Sequence, residues 1–269
     1  MKSDVRKVIS AELFKAKRQK MTYIMPVILV GLAVLLFFVN EFAARRSFIG
    51  VPSGFYVGTT VVNWMTNVMA LLAVVFASFV VAQEFAVGTV KSTWVRPVRR
   101  GKWFTAKYIW SAGAITDMFI LLAIVTFGLA FFRLGLDDLT EKNYLVHSVR
   151  SMSLRLLLTL GLTLFSLWAV TALAAMIATL FSNPGGAIAA ALGFGIVMLV
   201  LSAFGPVQPF LITSHLALPL EQMVAMTKGV PLPLEWNTLI WRTLVGAGAW
   251  MVVALFIGHR VIRNKEITA

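Results

Sequence analysis

Cysteine is absent from the 269 residues, which excludes disulfides, thiolate metal sites and a cysteine nucleophile. Acids are scarce too, 11 against 24 Lys and Arg. Charged residues make up 13% of the chain, about half the share of an average soluble domain. The three histidines, His147, His215 and His259, lie on separate segments without ligand spacing, so no metal site is expected. Three further patterns are missing: Gly-x-x-x-x-Gly-Lys-Ser/Thr for a phosphate loop, Gly-x-Ser-x-Gly for a nucleophile elbow, and His-Glu-x-x-His for a zinc helix. The chain is therefore not expected to hydrolyse a nucleotide itself, and it shows no hydrolase signature.

What the sequence has is apolar residues, 59% of the total, more than a soluble interior of this size can hide. A bilayer removes the difficulty, because lipid tails accept apolar side chains on the outside of a fold. The expected class is all-α, a polytopic membrane protein built as one transmembrane domain over 1–269. Six stretches are long enough to cross about 30 Å of hydrocarbon: Tyr23–Phe42, Thr59–Ala82, Tyr108–Phe132, Leu154–Leu180, Ala187–Phe204 and Trp236–Gly258. A cleavable signal peptide is the rival reading of the first. Its basic leader is too long and its apolar run too extended for that.

Between these spans the segments differ in kind. In 1–20, Val5, Val8, Ile9, Leu13 and Ala16 share one side of a helix and Lys7, Lys15, Lys17 and Arg18 fall mostly elsewhere, which predicts an amphipathic helix in the cytoplasmic interface. Glu12 sits within the apolar stripe and Phe14 outside it. Ser182-Asn183-Pro184-Gly185-Gly186 is a turn cluster. Arg133–Ser153 reads as a mixed-charge loop. Gly205–Glu235 holds five of the nine prolines and predicts short helices at the outer interface before the last span.

The net charge of +13 would suggest nucleic acid in a soluble protein. Here the cations flank apolar spans, so they are expected to meet lipid headgroups and no nucleic acid. With both termini inside, the cytoplasmic segments hold about two-thirds of the 24 Lys and Arg, as the positive-inside rule requires. Trp103 and Trp110 near one face and Trp236 and Trp241 near the other fit aromatic belts.

Few polar side chains lie within the spans. Asp117 lies about ten residues into the third, where a charge costs about 2.5–3.5 kcal/mol on insertion scales. It is expected to hydrogen-bond another span, with a proton or substrate contact as the alternative. Asn63 and Asn67, one turn apart on the second span, read as helix glue or as the lining of a path. Arg242 is placed to snorkel outward.

The most informative segment is 83–107. An acid, Glu84, is followed by Gly88-Thr89, Lys91, a Pro97 stop, Arg100 and Lys107. It predicts a short cytoplasmic helix lying across the membrane surface, with Gly88 allowing a bend and Pro97 ending the helix.

These residues resemble the first cytoplasmic loop of ABC-2 type permeases, whose pattern is roughly Glu-x3-Gly-Thr-x-Lys, then Pro-x-x-Arg, then Lys. Glu12, Lys15 and Arg18 resemble the Glu-x-x-Lys-x-x-Arg stretch that precedes the first span in that family. The resemblance implies the permease subunit of an ATP-binding cassette exporter in a bacterial inner or plasma membrane. It implies coupling to the ATPase through Glu84, Gly88, Thr89, Lys91, Pro97, Arg100, Lys107, Glu12, Lys15 and Arg18. Two permeases, alike or merely similar, would pair with two separately encoded ATPase subunits. This chain would bind no cofactor, ATP and Mg sitting on the partner. Drug, peptide or lipophilic cargo, antibiotic efflux and self-immunity are associations of the family. An autonomous secondary transporter and a membrane-embedded enzyme are the alternatives.

Overall fold

The computed structural model describes residues 2–47, 53–86, 100–141, 144–229, 232 and 234–265. Eight α-helices run through them: α1 (Lys2–Ala16), α2 (Met21–Ser47), α3 (Gly54–Ala86), α4 (Arg100–Leu134), α5 (Val149–Ala178), α6 (Pro184–Leu201), α7 (Ile212–Thr227) and α8 (Trp236–Asn264). Six of them, α2 to α6 and α8, are long and apolar enough to cross a membrane. The all-α, six-span expectation holds, and most of these helices extend beyond the apolar stretches, carrying polar first and last turns into the surface layers. The anticipated helix between α3 and α4 falls in 87–99, outside the described residues.

Hydropathy alone does not reveal which spans are interior. α3 packs against α2, α4, α5, α6 and α7, and α5 against α3, α4, α6, α7 and α8. The α2 stripe shows how the outer helices attach. Met25, Leu29, Ala33 and Phe37 recur every four residues, are buried, and meet Val61, Met65 and Met69 of α3 and Ile115, Phe119 and Leu122 of α4 in one cluster. The opposite face of α2 keeps Val27, Ile28, Leu35 and Val39 exposed, as a lipid-facing surface requires.

The same stripe continues to Glu41, which is 4% exposed. Its Oε1 receives the Arg45 guanidinium at 2.8 Å and Arg133 of α4 at 3.4 Å. An acid one turn past Phe37 reads from sequence as the end of a span; in the fold it is a buried link between α2 and α4.

Local chemistry explains the breaks. Asn183 Oδ1 accepts the Gly185 N–H at 2.9 Å and Pro184 opens α6, an N-cap followed by proline in the first turn. The expected loop 133–153 contains an antiparallel hairpin, β1 (Leu139–Glu141) with β2 (Tyr144–His147), in the register Leu139↔His147, Thr140↔Leu145, Glu141↔Tyr144. The proline-rich segment folds as a 3-10 turn, Gln208–Phe210, and then α7, which is longer than the anticipated pieces and contains Pro219. Its apolar face, Leu216, Leu220, Met223 and Met226, turns into the bundle rather than out to an interface. Trp250 of α8 fixes the turn by donating Nε1–H to Phe210 O at 2.8 Å.

Between α7 and α8 a side chain fills the space that a Cβ would need. His215 is 2% exposed and its ring lies where a side chain at Gly246 would begin, so a Cβ on Gly246 would overlap the imidazole. Burial, aided by the Arg242 charge, pushes the His215 pKa down and keeps the ring neutral near pH 7. Gly258 makes the equivalent accommodation for the Phe104 ring of α4 at the opposite end of α8.

Candidate functional site

At the end of the bundle where α3 finishes and α4 begins, four charged side chains from three helices close a ring. Glu84 occupies the last turn of α3, and Lys107 lies in α4 one turn beyond Trp103. Glu12 and Lys15 share a face of α1 three residues apart, which packs that helix against α4. Lys107 Nζ donates to Glu84 Oε1 at 2.7 Å and to Glu12 Oε1 at 2.9 Å. Lys15 Nζ donates to the same two oxygens, at 2.7 Å to Glu84 and 2.9 Å to Glu12. The second Glu84 oxygen, Oε2, accepts the Trp103 indole N–H at 2.8 Å. Each ammonium thus sits between two carboxylates, and the ring carries no net charge.

Burial gives the arrangement its energetic weight. Lys107 is 1% exposed, Glu12 7% and Glu84 8%. An unpaired charge so placed would lose several kcal/mol of hydration, roughly the scale that a complete set of partners must offset. Lys107 also stands 5.6 Å from the Trp103 ring centroid, and Phe85 meets that ring edge-on at 5.6 Å. Lys15 is the half-exposed member. Burial lowers its pKa, but the hydrogen bonds and charges of Glu84 and Glu12 outweigh it and leave the pKa above the ordinary lysine value. A cleft of ≈ 270 Å³ opens beside the ring, bordered by Gln19, Phe76, Gln83 and Trp110.

Of the coupling residues anticipated from sequence, the fold brings Glu12, Lys15, Glu84 and Lys107 together. The Glu84 carboxylate turns inward, onto two lysines and an indole N–H. Glu12, anomalous in an apolar stripe, lies on the face that docks on protein. Arg18 stays outside the ring, exposed and 4.4 Å above the Phe14 ring centroid. Arg100 donates to Lys265 O at 2.9 Å and so holds the stretch after α8. Gly88, Thr89, Lys91 and Pro97 lie outside the described residues.

Sequence reasoning assigned Trp103 to an aromatic belt. The side chain is instead fully buried and donates to Glu84. A tryptophan one helical turn from a lysine, after an upstream acid, was the available clue. Trp241 is 68% exposed.

The polar residues within the spans are placed differently. Asp117, at the middle of α4, is exposed on the side away from the bundle and makes no hydrogen bond or ion pair among the described residues. The expected bond to another span of this chain is therefore not formed. Asn67 is exposed on α3, with Asn63 half-buried one turn before it. The three histidines stand on β2, α7 and α8, and no metal-holding group of acids and histidines occurs among the described residues.

No curated protein matches the chain. The profile of the family described as ABC-2 family transporter protein matches residues 8–197, well over half of it, from within α1 to within α6 and including every member of the charge ring. Together with the six membrane-length helices, this match assigns the chain to the ABC-2 transporter family as a multi-pass membrane component of the kind that works with an ABC ATPase.

Proposed function

We propose that this chain is the permease of an exporter powered by separate ATPase subunits, and that the Glu12–Lys15–Glu84–Lys107 ring passes their motion to the spans. The carrying observation is where the ring sits: Glu84 precedes and Trp103 and Lys107 follow the basic segment 87–99, so both roots of that segment and α1 are fastened at one point. An ATPase docking on 87–99, with Gly88, Thr89, Lys91 and Pro97 shaping the contact, would pull on α3 and α4 together rather than on a slack loop. ATP and Mg reside on the partner in this reading. Two permeases and two ATPases form the working unit, in a bacterial cell membrane with both chain termini inside, an orientation supported by the distribution of Lys and Arg. A drug, a peptide or another lipophilic compound is the cargo class.

The test is co-expression with a phosphate-loop ATPase from the neighbouring gene. The wild-type pair should co-purify and hydrolyse ATP, whereas the chain alone should not hydrolyse it. Glu84→Lys sets three cations around one acid, and hydrolysis stimulated by the permease should fall at least tenfold. Unchanged stimulation would remove the ring from the coupling path.

Asp117 supports a second reading, a proton-coupled transporter, because an exposed carboxylate at mid-span needs water or a second protein to face. Asp117→Asn keeps the hydrogen-bonding capacity and removes the charge. Transport and ATP hydrolysis should both survive in the exporter. Transport lost in a correctly assembled variant would favour proton coupling.

A further inference from the structure

A second concavity, of ≈ 790 Å³, lies between the first turns of α4 and the last turns of α8. Its polar walls are Arg100, Lys102, Thr105, His259, Arg260 and Arg263, and no acidic side chain among the described residues lines it. Arg260 and Arg263, three residues apart and both exposed, share one face of α8 and form no ion pair with a described residue. His259 is held by Leu255 O at 2.9 Å and Thr105 Oγ1 at 3.0 Å, and its ring meets Phe104 edge-on, which fixes the wall between the two helices. Phe256, 72% exposed, lines the groove, and Val252 and Val253, about one turn earlier on α8, are exposed too, an apolar strip that no described residue buries.

Two chemistries therefore adjoin. Guanidinium groups bind phosphate oxygens in pairs and lose less hydration than ammonium groups in doing so. An apolar strip running from such a site into the hydrocarbon region suits an acyl chain, and a soluble anion does not need it. Basic pockets between spans on the cytoplasmic side are places where phospholipid headgroups settle. We infer that the α4–α8 groove is a binding site for an anionic phospholipid, its headgroup phosphate between Arg260, Arg263, Arg100 and Lys102 and an acyl chain along Phe256 and Val252. The inference does not depend on ATPase pairing, and its test contains no ATPase.

The full-length chain, purified in a neutral detergent, is exchanged with equimolar phosphatidylglycerol and phosphatidylcholine, and retained lipid is read by native mass spectrometry. The wild type should retain phosphatidylglycerol selectively. Arg260→Gln with Arg263→Gln should lower that preference at least tenfold, while Lys17→Gln with Arg18→Gln, equal in charge removed but remote from the groove, should leave it unchanged. Phe256→Ser should weaken retention of the lipid with its headgroup preference kept. Three results would overturn the assignment: undiminished preference in the Arg260/Arg263 variant, an equal loss in the Lys17/Arg18 variant, or displacement of the lipid by glycerol phosphate alone, which marks a soluble-anion site.

Discussion

Replacing Lys107 with Met should be the most damaging single change at the charge ring. Methionine fills much of the lysine stem's volume, so the loss is electrostatic. Glu12 and Glu84, both nearly inaccessible to water, would be left to share Lys15, whose side chain is 47% exposed. Removing one partner of a buried pair costs about 3–5 kcal/mol. Thermal unfolding in detergent should show the loss directly, and limited proteolysis should show α1 released from α4. Adding Glu84→Gln to Lys107→Met makes the control. The amide still accepts the Trp103 N–H, and Glu12 with Lys15 remains a neutral pair. The double variant should recover most of the stability, since the cycle removes a whole pair instead of half of one. It should not recover stimulation of the ATPase, because the ion pair between α3 and α4 is then absent. A double variant no more stable than Lys107→Met would show that the residues act independently.

The second large effect is expected from one methyl group. Gly246→Ala introduces a Cβ into the volume of the His215 ring, between two helices whose facing sides are fully packed. Alanine gains about 1 kcal/mol over glycine in a helix interior, so stabilisation would follow if space existed. Overpacking costs about 1–3 kcal/mol and occasionally more, and the overlap here falls at the upper end, leaving a net loss. His215→Ala in the same chain removes the ring and should restore the stability that Gly246→Ala takes away, together with the helix gain. A Gly246→Ala protein as stable as wild type by thermal unfolding would mean that α7 and α8 are not held at this separation.

How legible these features were depended on their range. The spans were visible because insertion into lipid is decided by a continuous apolar window, and the Asn183-Pro184 cap because a cap is a matter of adjacent residues. Glu12 was visible as an oddity, since an acid on an apolar stripe breaks a local period. Its partner was not: Lys107 lies 95 positions away, and an ion pair between helices leaves no periodic trace in either. Trp103 illustrates the same limit, because a tryptophan near a span end reads alike whether it faces headgroups or a buried carboxylate. Glu41 was hidden by its neighbours Arg45 and Arg46, which make the end of α2 look like an ordinary polar exit. Asp117 failed in the opposite direction. Depth could be counted along the helix, but which way the residue faces is set by how α4 packs on α2, α3 and α5.

The stretch just past α8 bears on how the two surfaces of the protein communicate. Lys265 Nζ donates to Thr179 O at 2.7 Å, its charge lies 4.1 Å from the Phe85 ring centroid, and its own carbonyl takes the Arg100 guanidinium. The last turn of α8 is thereby tied to the end of the bundle where α3 finishes and α4 begins. Its other half is keyed into α7 by the His215 ring. Twenty-nine residues of helix make a strut of about 43 Å, held near its last turn by these contacts and in its first half by the His215 ring, and packed mainly on α5. A displacement at that end of α8 would travel along the helix axis toward α7, as through a push-rod.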